Sequence, residues 1–392
     1  LAARLLAPIY AEERDWTRHV AMLDAMAEVA EPRERARLHR AAAAVYGSEL
    51  GAGEMAFLAA GRALRADPDD PENLALCLRT AREAGVHCFG VAAVCEAAEI
   101  REAGMDVPLL LFSLPLPEEV PEVVALGLSP FVADERMIEL IEREAAACGK
   151  TVGVHLKIDT GMGRIGCAPE EAPALCRKIA GSESLRLEGV CTHFPGADED
   201  DPAFTLAQIE RFRDTVEEIR RAGIDPGTVH AANSAGALRF PQARFDMVRP
   251  GIVLYGYPPF GSETGTVGVG SDGFRPVMEF ESRVVFLKRV PAGFPVSYGM
   301  TYRTPRPTVI ATVSAGYADG YSRALSNGGE VLIRGRRYRV AGRICMDQFM
   351  VDLGPDTDVQ PLDRVTLFGP DSAGPDAEEL AERTGTISYE VT

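Results

Sequence analysis

Residues 152–164 read VGVHLKIDTGMGR, the pattern of a strand that ends in a charged turn. Apolar residues alternate from Val152 to Ile158, so one face of the strand is apolar. The other face carries Lys157 and Asp159 at its carboxyl end, and the glycines of the turn allow Arg164 to fold back over that end. Arginine is suited there to bind a carboxylate or a phosphate, although a solvated strand face followed by a glycine turn explains the same residues.

Strand and helix patterns alternate on both sides of this stretch, from residue 85 to a last strand at 249–255. Such alternation predicts parallel strands, closed as a barrel or open and doubly wound. The glycine-rich segment 256–273 is predicted to be a linker. Beyond it we expect a mostly β domain over 274–392. Its strand-like runs lie at 277–290, 308–315, 330–333, 337–340, 349–353 and 364–368, and one helix lies at 377–383.

Composition excludes several classes of protein. The formal net charge of −17 argues against a nucleic-acid partner, because phosphates would be repelled. No apolar run is long enough for a membrane helix, so we expect a cytoplasmic protein. The eight cysteines form no CxxC pair, which favours free thiols over disulfides or a metal site.

Three polar clusters fall at predicted strand ends of the first domain. His193 ends one strand, Ser234 follows another strand and opens a helix, and Arg249 opens the last strand. Each has a structural explanation, respectively a core histidine, a helix N-cap and an ion pair. Together with Arg164 they describe one rim with an imidazole, two guanidiniums and a helix start suited to bind phosphate.

The second domain contributes tyrosines that stand beside glycines in predicted loops. Tyr298 lies in VSYG and Tyr317 in GYADGY, while Met346 lies in GRICMDQ. A tyrosine hydroxyl can exchange a proton when a nearby cation lowers its pKa. The alternative is that these tyrosines pack against an interface.

From residue 85 to the end the chain resembles the alanine racemases. The motifs that carry the resemblance, in family order, are HLKIDTGMGRIG, THF, HAANSAG, MVRPGIVLYG, VSYGMTY, GYADGY and GRICMDQFMVDLG. The resemblance implies a (β/α)8 TIM-type barrel over residues 1–260, a β-rich C-terminal domain, and the cofactor pyridoxal 5'-phosphate. It also implies a homodimer with shared active sites that interconverts L- and D-alanine and so supplies D-alanine for peptidoglycan.

The resemblance further implies a role for individual residues. Arg249 would bind the pyridine nitrogen, and Lys157 would be carbamylated to orient Arg164, which binds the substrate carboxylate. Tyr298 would be the base from the partner subunit, with Tyr317 and Met346 shaping the substrate pocket. The remaining cofactor contacts would come from Tyr46, His193, Asn233, Ser234, Gly251, Ile252 and Tyr389.

One residue departs from the family pattern. These enzymes hold the cofactor through a lysine in the first strand–helix loop, just before a Tyr-Gly pair. Matching that pair to Tyr46 and Gly47 puts Ala42 at the lysine position, and no lysine precedes Lys150. Because the lysine is both a base and the covalent tether, its loss would impair racemisation.

Three hypotheses therefore stand. The first is an alanine racemase with the lysine position unresolved. The second is a non-catalytic binding protein of the same fold. The third is a broad-specificity racemase or a basic-amino-acid decarboxylase of the same architecture.

Overall fold

The computed structural model describes residues 2–260, 274 and 276–392, which divide into two compact units, Leu1–Arg249 and Pro250–Thr392. Residues 261–273 of the predicted linker lie outside this description. The boundary comes before the predicted 256–273 segment, because Ile252 and Tyr257 are buried in the core of the second unit.

Five helices precede the first strand in the part of the first unit that the structure describes. Their bounds are α1 Ala2–Glu12, α2 Trp16–Ala27, α3 Pro32–Ser48, α4 Gly53–Ala66 and α5 Pro71–Glu83. Helix α3 contains AAAAVYGS without an internal proline, a composition that favours helix over strand. Small side chains such as Ala43 of α3 and Ala59 and Ala60 of α4 fill the interior of this bundle.

The predicted equivalence of Ala42 and Tyr46 with a strand–helix loop is therefore wrong. Both residues lie on α3, which two further helices separate from the first strand, and Ala42 is completely buried among the other helices. Tyr46 packs partly buried against the same cluster. The Tyr-Gly pair continues a helix here, because no β-branched run precedes it to form a strand.

A parallel sheet follows the helices. In the described residues its strands are β1 Phe89–Val91, β2 Leu109–Leu111, β3 Ser129–Val132, β4 Val152–Lys157, β5 Leu185–Cys191 and β6 Thr228–His230, paired in that order. The helices of this part are α6 Val94–Glu102, α7 Val120–Ala125, α8 Glu135–Ala147, α9 Ala172–Ala180, α10 Ala203–Arg221 and α11 Ser234–Arg239. The predicted α/β organisation is confirmed, and the described residues contain six parallel strands of it.

Strand β4 is buried over its whole length, which excludes a solvated face. Burial on both faces is typical of a parallel strand covered by helices. At the β6 edge of the sheet, Met247 forms a parallel bridge with His230. The chain therefore still runs beside β6 just before Arg249. The predicted last strand at 249–255 is wrong, since Ile252–Tyr255 forms a 3₁₀ helix.

The second unit is built on a closed antiparallel barrel. Its strands are β7 Phe280–Val290, β10 Thr308–Val313, β11 Glu330–Ile333, β12 Arg336–Val340, β13 Phe349–Asp352 and β14 Arg364–Phe368, and a hairpin joins β8 Pro295–Val296 to β9 Tyr302–Arg303. Helices α12 Ala377–Thr384 and α13 Ser388–Val391 end the chain. The predicted β domain is confirmed, and the runs predicted at 330–333 and 364–368 have the predicted ends.

Candidate active site

The turn after β4 presents Arg164 to solvent. Ile158 pairs with Cys167 and so closes the loop that contains Arg164. The Asp159 carboxylate accepts hydrogen bonds from the backbone N–H groups of Gly161, Met162 and Gly163 at 2.8–3.2 Å. Asp159 therefore shapes the turn, and its carboxylate is directed to the backbone of that turn.

Lys157 is the last residue of β4 and is only 3% exposed. Its Nζ atom lies 5.4 Å from the centre of the Phe131 ring of β3, and its backbone is in register with Cys191 of β5. The pKa of Lys157 is lowered to about 8, chiefly by burial; Arg249 and Arg164 act in the same direction, and Cys191 and Asp159 oppose them.

The guanidinium of Arg249 is held by the ends of β5 and β6. It donates to the carbonyl oxygens of Thr192 and Ala231 at 2.9 and 2.8 Å and to Nδ1 of His230 at 2.7 Å. A further contact of 3.4 Å reaches Nδ1 of His193. These contacts fix the plane of the guanidinium, which is what a binding site for a flat ligand requires.

Behind Arg249 lies a buried pair of histidines to which the sequence analysis gave no role. His155 Nδ1 and His230 Nε2 are 3.0 Å apart, and Glu188 lies 3.9 Å from His155 Nε2. Gly189 makes room for this pair, because a Cβ atom there would stand 2.5 Å from His155 Nδ1. The sequence does contain one indication of this pair, because the alternation of side chains along β4 puts His155 on the same face as Lys157.

His193 and Ser234 also lie at the carboxyl ends of parallel strands. Burial lowers the pKa of His193 to about 3, with Lys157, Arg249 and Arg164 acting in the same direction, so the imidazole is neutral. Ser234 is buried as the first residue of α11. Asn233 caps this helix. Its side-chain oxygen accepts a hydrogen bond from Gly236 N–H and its side-chain nitrogen donates to Phe194 O, so both polar atoms of the amide are bound within the protein.

In the second unit, three predicted loops meet at one edge of the β-barrel. The backbone N–H groups of Tyr317 and Ala318 donate to the carbonyls of Cys345 and Met346 at 3.1 and 3.0 Å. Ser297, next to Tyr298, donates through its hydroxyl to Arg343 O. The side chains of Tyr298, Tyr317 and Met346 are exposed to 72%, 43% and 53%, so they form an accessible patch.

The remaining predicted cofactor contacts also belong to the second unit. Gly251 precedes the 3₁₀ helix Ile252–Tyr255, in which Ile252 is buried. Tyr389 lies on α13 and is half exposed. The predicted site residues are thus divided between the two units. Within the first unit, the carboxyl end of the sheet holds Lys157, His193, Ser234 and Arg249.

Known family models match both units of the chain. The family models for the alanine racemase N-terminal and C-terminal domains match residues 71–259 and 277–392. The chain is 45% identical over 316 residues to an alanine racemase of Treponema denticola, covering 79% of this chain and 82% of the relative. The chain belongs to the alanine racemase family.

Solved alanine racemases have the same fold. The enzyme of Streptomyces coelicolor superposes with a TM-score of 0.75 at 38% identity, over 81% of this chain and 84% of that chain. The structure from Bacillus anthracis with bound L-Ala-P gives 0.74 at 34% identity, over 81% of both chains. Within the residues that our structure describes, no helix has the length and apolarity to cross a membrane.

The family match also bears on the missing lysine. It begins at residue 71, after both Ala42 and Tyr46, so neither residue has a counterpart in the N-terminal family model. Helices α1–α4 lie outside the part of the chain that the N-terminal family model matches. Lys157 lies at the candidate site as the last residue of β4.

Proposed function

We propose that this chain binds pyridoxal 5'-phosphate and alanine at the carboxyl ends of its parallel strands and interconverts L- and D-alanine. The observation that carries the proposal is the guanidinium of Arg249, held by Thr192, Ala231 and His230 at the strand ends, in a chain 45% identical to an alanine racemase. Ligands of parallel α/β folds bind at this end of the strands. In the cell such a reaction would supply D-alanine for peptidoglycan.

The residues of the first unit suit the cofactor chemically. Arg249 has only N–H donors and a fixed plane, which suits a pyridine nitrogen that stays unprotonated. Ser234 starts α11 next to its capping residue Asn233, where a hydroxyl and backbone N–H groups suit phosphate oxygens. Gly251, Ile252 and Tyr389 remain predicted phosphate contacts of the second unit.

The cofactor, when bound, supplies the electron-accepting ring that lowers the pKa of the substrate Cα–H. The chain supplies orientation and proton transfer. Arg164 is solvent-exposed on its closed turn and is suited to bind the substrate carboxylate. Neutral His193 lies beside Arg249 and adds no positive charge to the site.

We further propose a homodimer in which Tyr298 of one subunit serves the site of the other. The support is the exposed patch of Tyr298, Tyr317 and Met346, since large exposed apolar side chains are typical of interaction surfaces. In such a dimer the Tyr298 hydroxyl would hold the proton on one face of the substrate. The expected cytoplasmic location remains a prediction.

The test is the conversion of L- to D-alanine by the full chain with added pyridoxal phosphate, alongside sedimentation velocity. We expect turnover that is lost in Tyr298→Phe, and a dimer that dissociates in Met346→Glu. Leu116→Glu, an equally exposed residue of the first unit, is the matched control and should change neither result. Absence of turnover together with absence of saturable cofactor binding would contradict the proposal.

A second candidate is a binding protein of this fold that does not catalyse racemisation. It is favoured by the buried, helical position of Ala42, which offers the cofactor no amine. Saturable cofactor binding without racemisation of alanine, or of any other amino acid, supports this second candidate. Turnover of several amino acids would instead favour the broad-specificity hypothesis.

A further inference from the structure

Helix α10 packs directly against the turn that follows β4. Gly161 of this turn has a φ of 141°, and a Cβ atom there would stand 2.8 Å from the ring of Phe204 and 3.3 Å from Nε2 of Gln208. Further along α10, the side chain of Arg211 donates to the carbonyl of Thr160 at 2.8 Å. The positive φ and the close contact favour glycine at position 161, so the helix and the turn lie in direct contact.

Gln208 joins this turn to the segment that follows β5. It is 1% exposed, and its Nε2 atom donates to Thr160 Oγ1 at 3.2 Å and to the carbonyl of His193 at 3.4 Å. Because a carbonyl only accepts, the amide nitrogen faces His193, and Thr160 Oγ1 accepts from the same nitrogen. The Thr160 hydroxyl proton is then directed to Thr192 Oγ1, 2.7 Å away. A chain of hydrogen bonds from α10 thus connects the ends of β4 and β5.

The two connected segments hold the two guanidiniums of the proposed site. Thr160 lies in the turn that presents Arg164, and the carbonyl of Thr192 accepts from Arg249 at 2.9 Å. Both threonines are completely buried, so water does not compete for the contact between their hydroxyls. This contact therefore sets the spacing between the arginine proposed for the substrate carboxylate and the arginine proposed for the cofactor ring.

Core packing alone explains Gln208 poorly. Its Oε1 atom and Thr205 Oγ1, one turn earlier on α10, are buried, and neither finds a hydrogen-bond partner among the described residues. A buried polar atom without a partner lowers stability, which an apolar side chain of similar size would avoid. The role of Gln208 therefore lies in the two acceptors that its Nε2 atom holds.

We propose that Gln208 and Thr160 are positioning residues that place Arg164 at the distance from Arg249 that alanine and the cofactor require. The inference rests on the proposed function and assigns residues that determine how tightly that site binds the substrate carboxylate. Neither residue touches the substrate, and both act through the turn. Because Arg164 would bind the carboxylate equally before and during proton transfer, loss of this positioning should raise KM more than it lowers kcat.

The first experiment compares Thr160→Val, which removes the hydroxyl, with Thr160→Ser, which retains it. With the full chain and saturating pyridoxal phosphate, we expect equilibrium dialysis to give a Kd for alanine about tenfold higher in Thr160→Val and close to wild type in Thr160→Ser. Cofactor affinity should change by less than about threefold, because Arg249 keeps its contacts with Ala231 and His230.

The matched control is Thr215→Val. Thr215 is also a buried threonine, but its hydroxyl donates to Arg211 O within α10 at 2.8 Å, and it should leave both affinities unchanged.

Two variants of α10 test the same contact from the other side. Gln208→Leu removes the donor and should weaken alanine binding as much as Thr160→Val. Arg211→Gln changes an exposed residue, tolerates substitution without loss of the fold, and should weaken alanine binding by about threefold. Its control is Arg213→Gln, in an exposed ion pair with Glu210, which should have no effect.

Hydrogen exchange of the unliganded chain gives a readout that does not depend on the cofactor. The amides of Gly161, Met162 and Gly163 donate to Asp159 within the turn. We expect their exchange to be about tenfold faster in Thr160→Val and Gln208→Leu than in wild type, while amides of β3 keep their rates.

Faster exchange in the turn together with weaker alanine binding supports the inference. Unchanged exchange in the turn, equal acceleration throughout the chain, or wild-type alanine affinity in Thr160→Val and Gln208→Leu overturns it and leaves the proposed function standing. The same holds if Thr160→Ser is as impaired as Thr160→Val. Absence of saturable binding of cofactor and alanine by the wild-type chain overturns both.

Discussion

Arg249 donates a hydrogen bond of 2.7 Å to Nδ1 of His230, and this contact determines where the protons lie in the buried core of the sheet. Arginine has no acceptor, so Nδ1 of His230 must accept and its Nε2 must carry the proton. That N–H then donates to Nδ1 of His155 over 3.0 Å. His155 consequently carries its own proton on Nε2, which faces the Glu188 carboxylate at 3.9 Å.

The first prediction concerns stability in acid. Burial lowers the pKa of His155 to about 4, and that of His230 well below its usual value, with Arg249 contributing to both. Below pH 6.5 the unfolded chain binds protons that these folded imidazoles reject, so the free energy of unfolding falls as the pH decreases towards 4. Above pH 6.5 neither histidine contributes a pH dependence, because both states are neutral.

Urea unfolding at several pH values between 4.5 and 7.5 measures this effect. One such histidine contributes a slope of about 1.4 kcal/mol per pH unit between its two pKa values. His155→Asn retains an acceptor near the Nδ1 position and should remove a slope of that size. The matched control is His87→Asn, at an exposed position, which should retain the wild-type slope. Equal slopes for wild type and His155→Asn would contradict the proton arrangement.

The second prediction concerns the shape of the Arg249 side chain. Lysine at this position keeps the charge but cannot reach His230, Thr192 O and Ala231 O in one plane. We expect Arg249→Lys to lower the free energy of unfolding by about 2–4 kcal/mol, because buried acceptors lose their donors. Arg213→Lys, in an exposed ion pair with Glu210, should cost less than about 0.5 kcal/mol. Equal midpoints of urea denaturation for the two variants would show that Arg249 is not held as described.

Features that depend on local sequence were predictable. Strand β4 follows from its alternation, and the ends of β11 and β14 follow from the turns beside them. The proximity of Tyr317 and Met346 was implied only by the family resemblance, and their loops are joined by backbone hydrogen bonds. For the strands, neighbouring residues alone carry the information.

Features that depend on distant pairing were not predictable from residue patterns. His155 and His230 are 75 positions apart, and each histidine separately is compatible with an ordinary core residue. The run IVLY after Gly251 suits a buried strand as well as the 3₁₀ helix that it forms. The assignment of Ala42 failed because a Tyr-Gly pair was matched by its letters, in a segment whose composition favours helix.

A third prediction concerns the loops of the exposed tyrosine patch. A Cβ atom on Gly316 would stand 2.1 Å from Met346 O and 2.4 Å from Cys345 O, which are backbone atoms that cannot move independently. Gly316→Ala should therefore separate the two loops at a cost of about 1–3 kcal/mol. Gly328→Ala, where the nearest atom is 4.0 Å away, is the control and should be nearly neutral. Hydrogen exchange should be faster at the Tyr317 and Ala318 amides in Gly316→Ala alone, and unchanged protection there would contradict the close packing.

The last prediction concerns position 42, which the resemblance assigned to the cofactor lysine. Ala42 is fully buried in α3 among side chains of α2 and α4, including Val20 and Leu23, so an amine there would be enclosed by apolar groups. We expect Ala42→Lys to lower the free energy of unfolding by about 3–5 kcal/mol and to gain no borohydride-reducible adduct at position 42. Ala44→Lys adds the same side chain two residues later on an exposed face of the helix, and should stay within about 0.5 kcal/mol of wild type. A stable Ala42→Lys chain that binds pyridoxal phosphate covalently at position 42 would instead restore the loop equivalence.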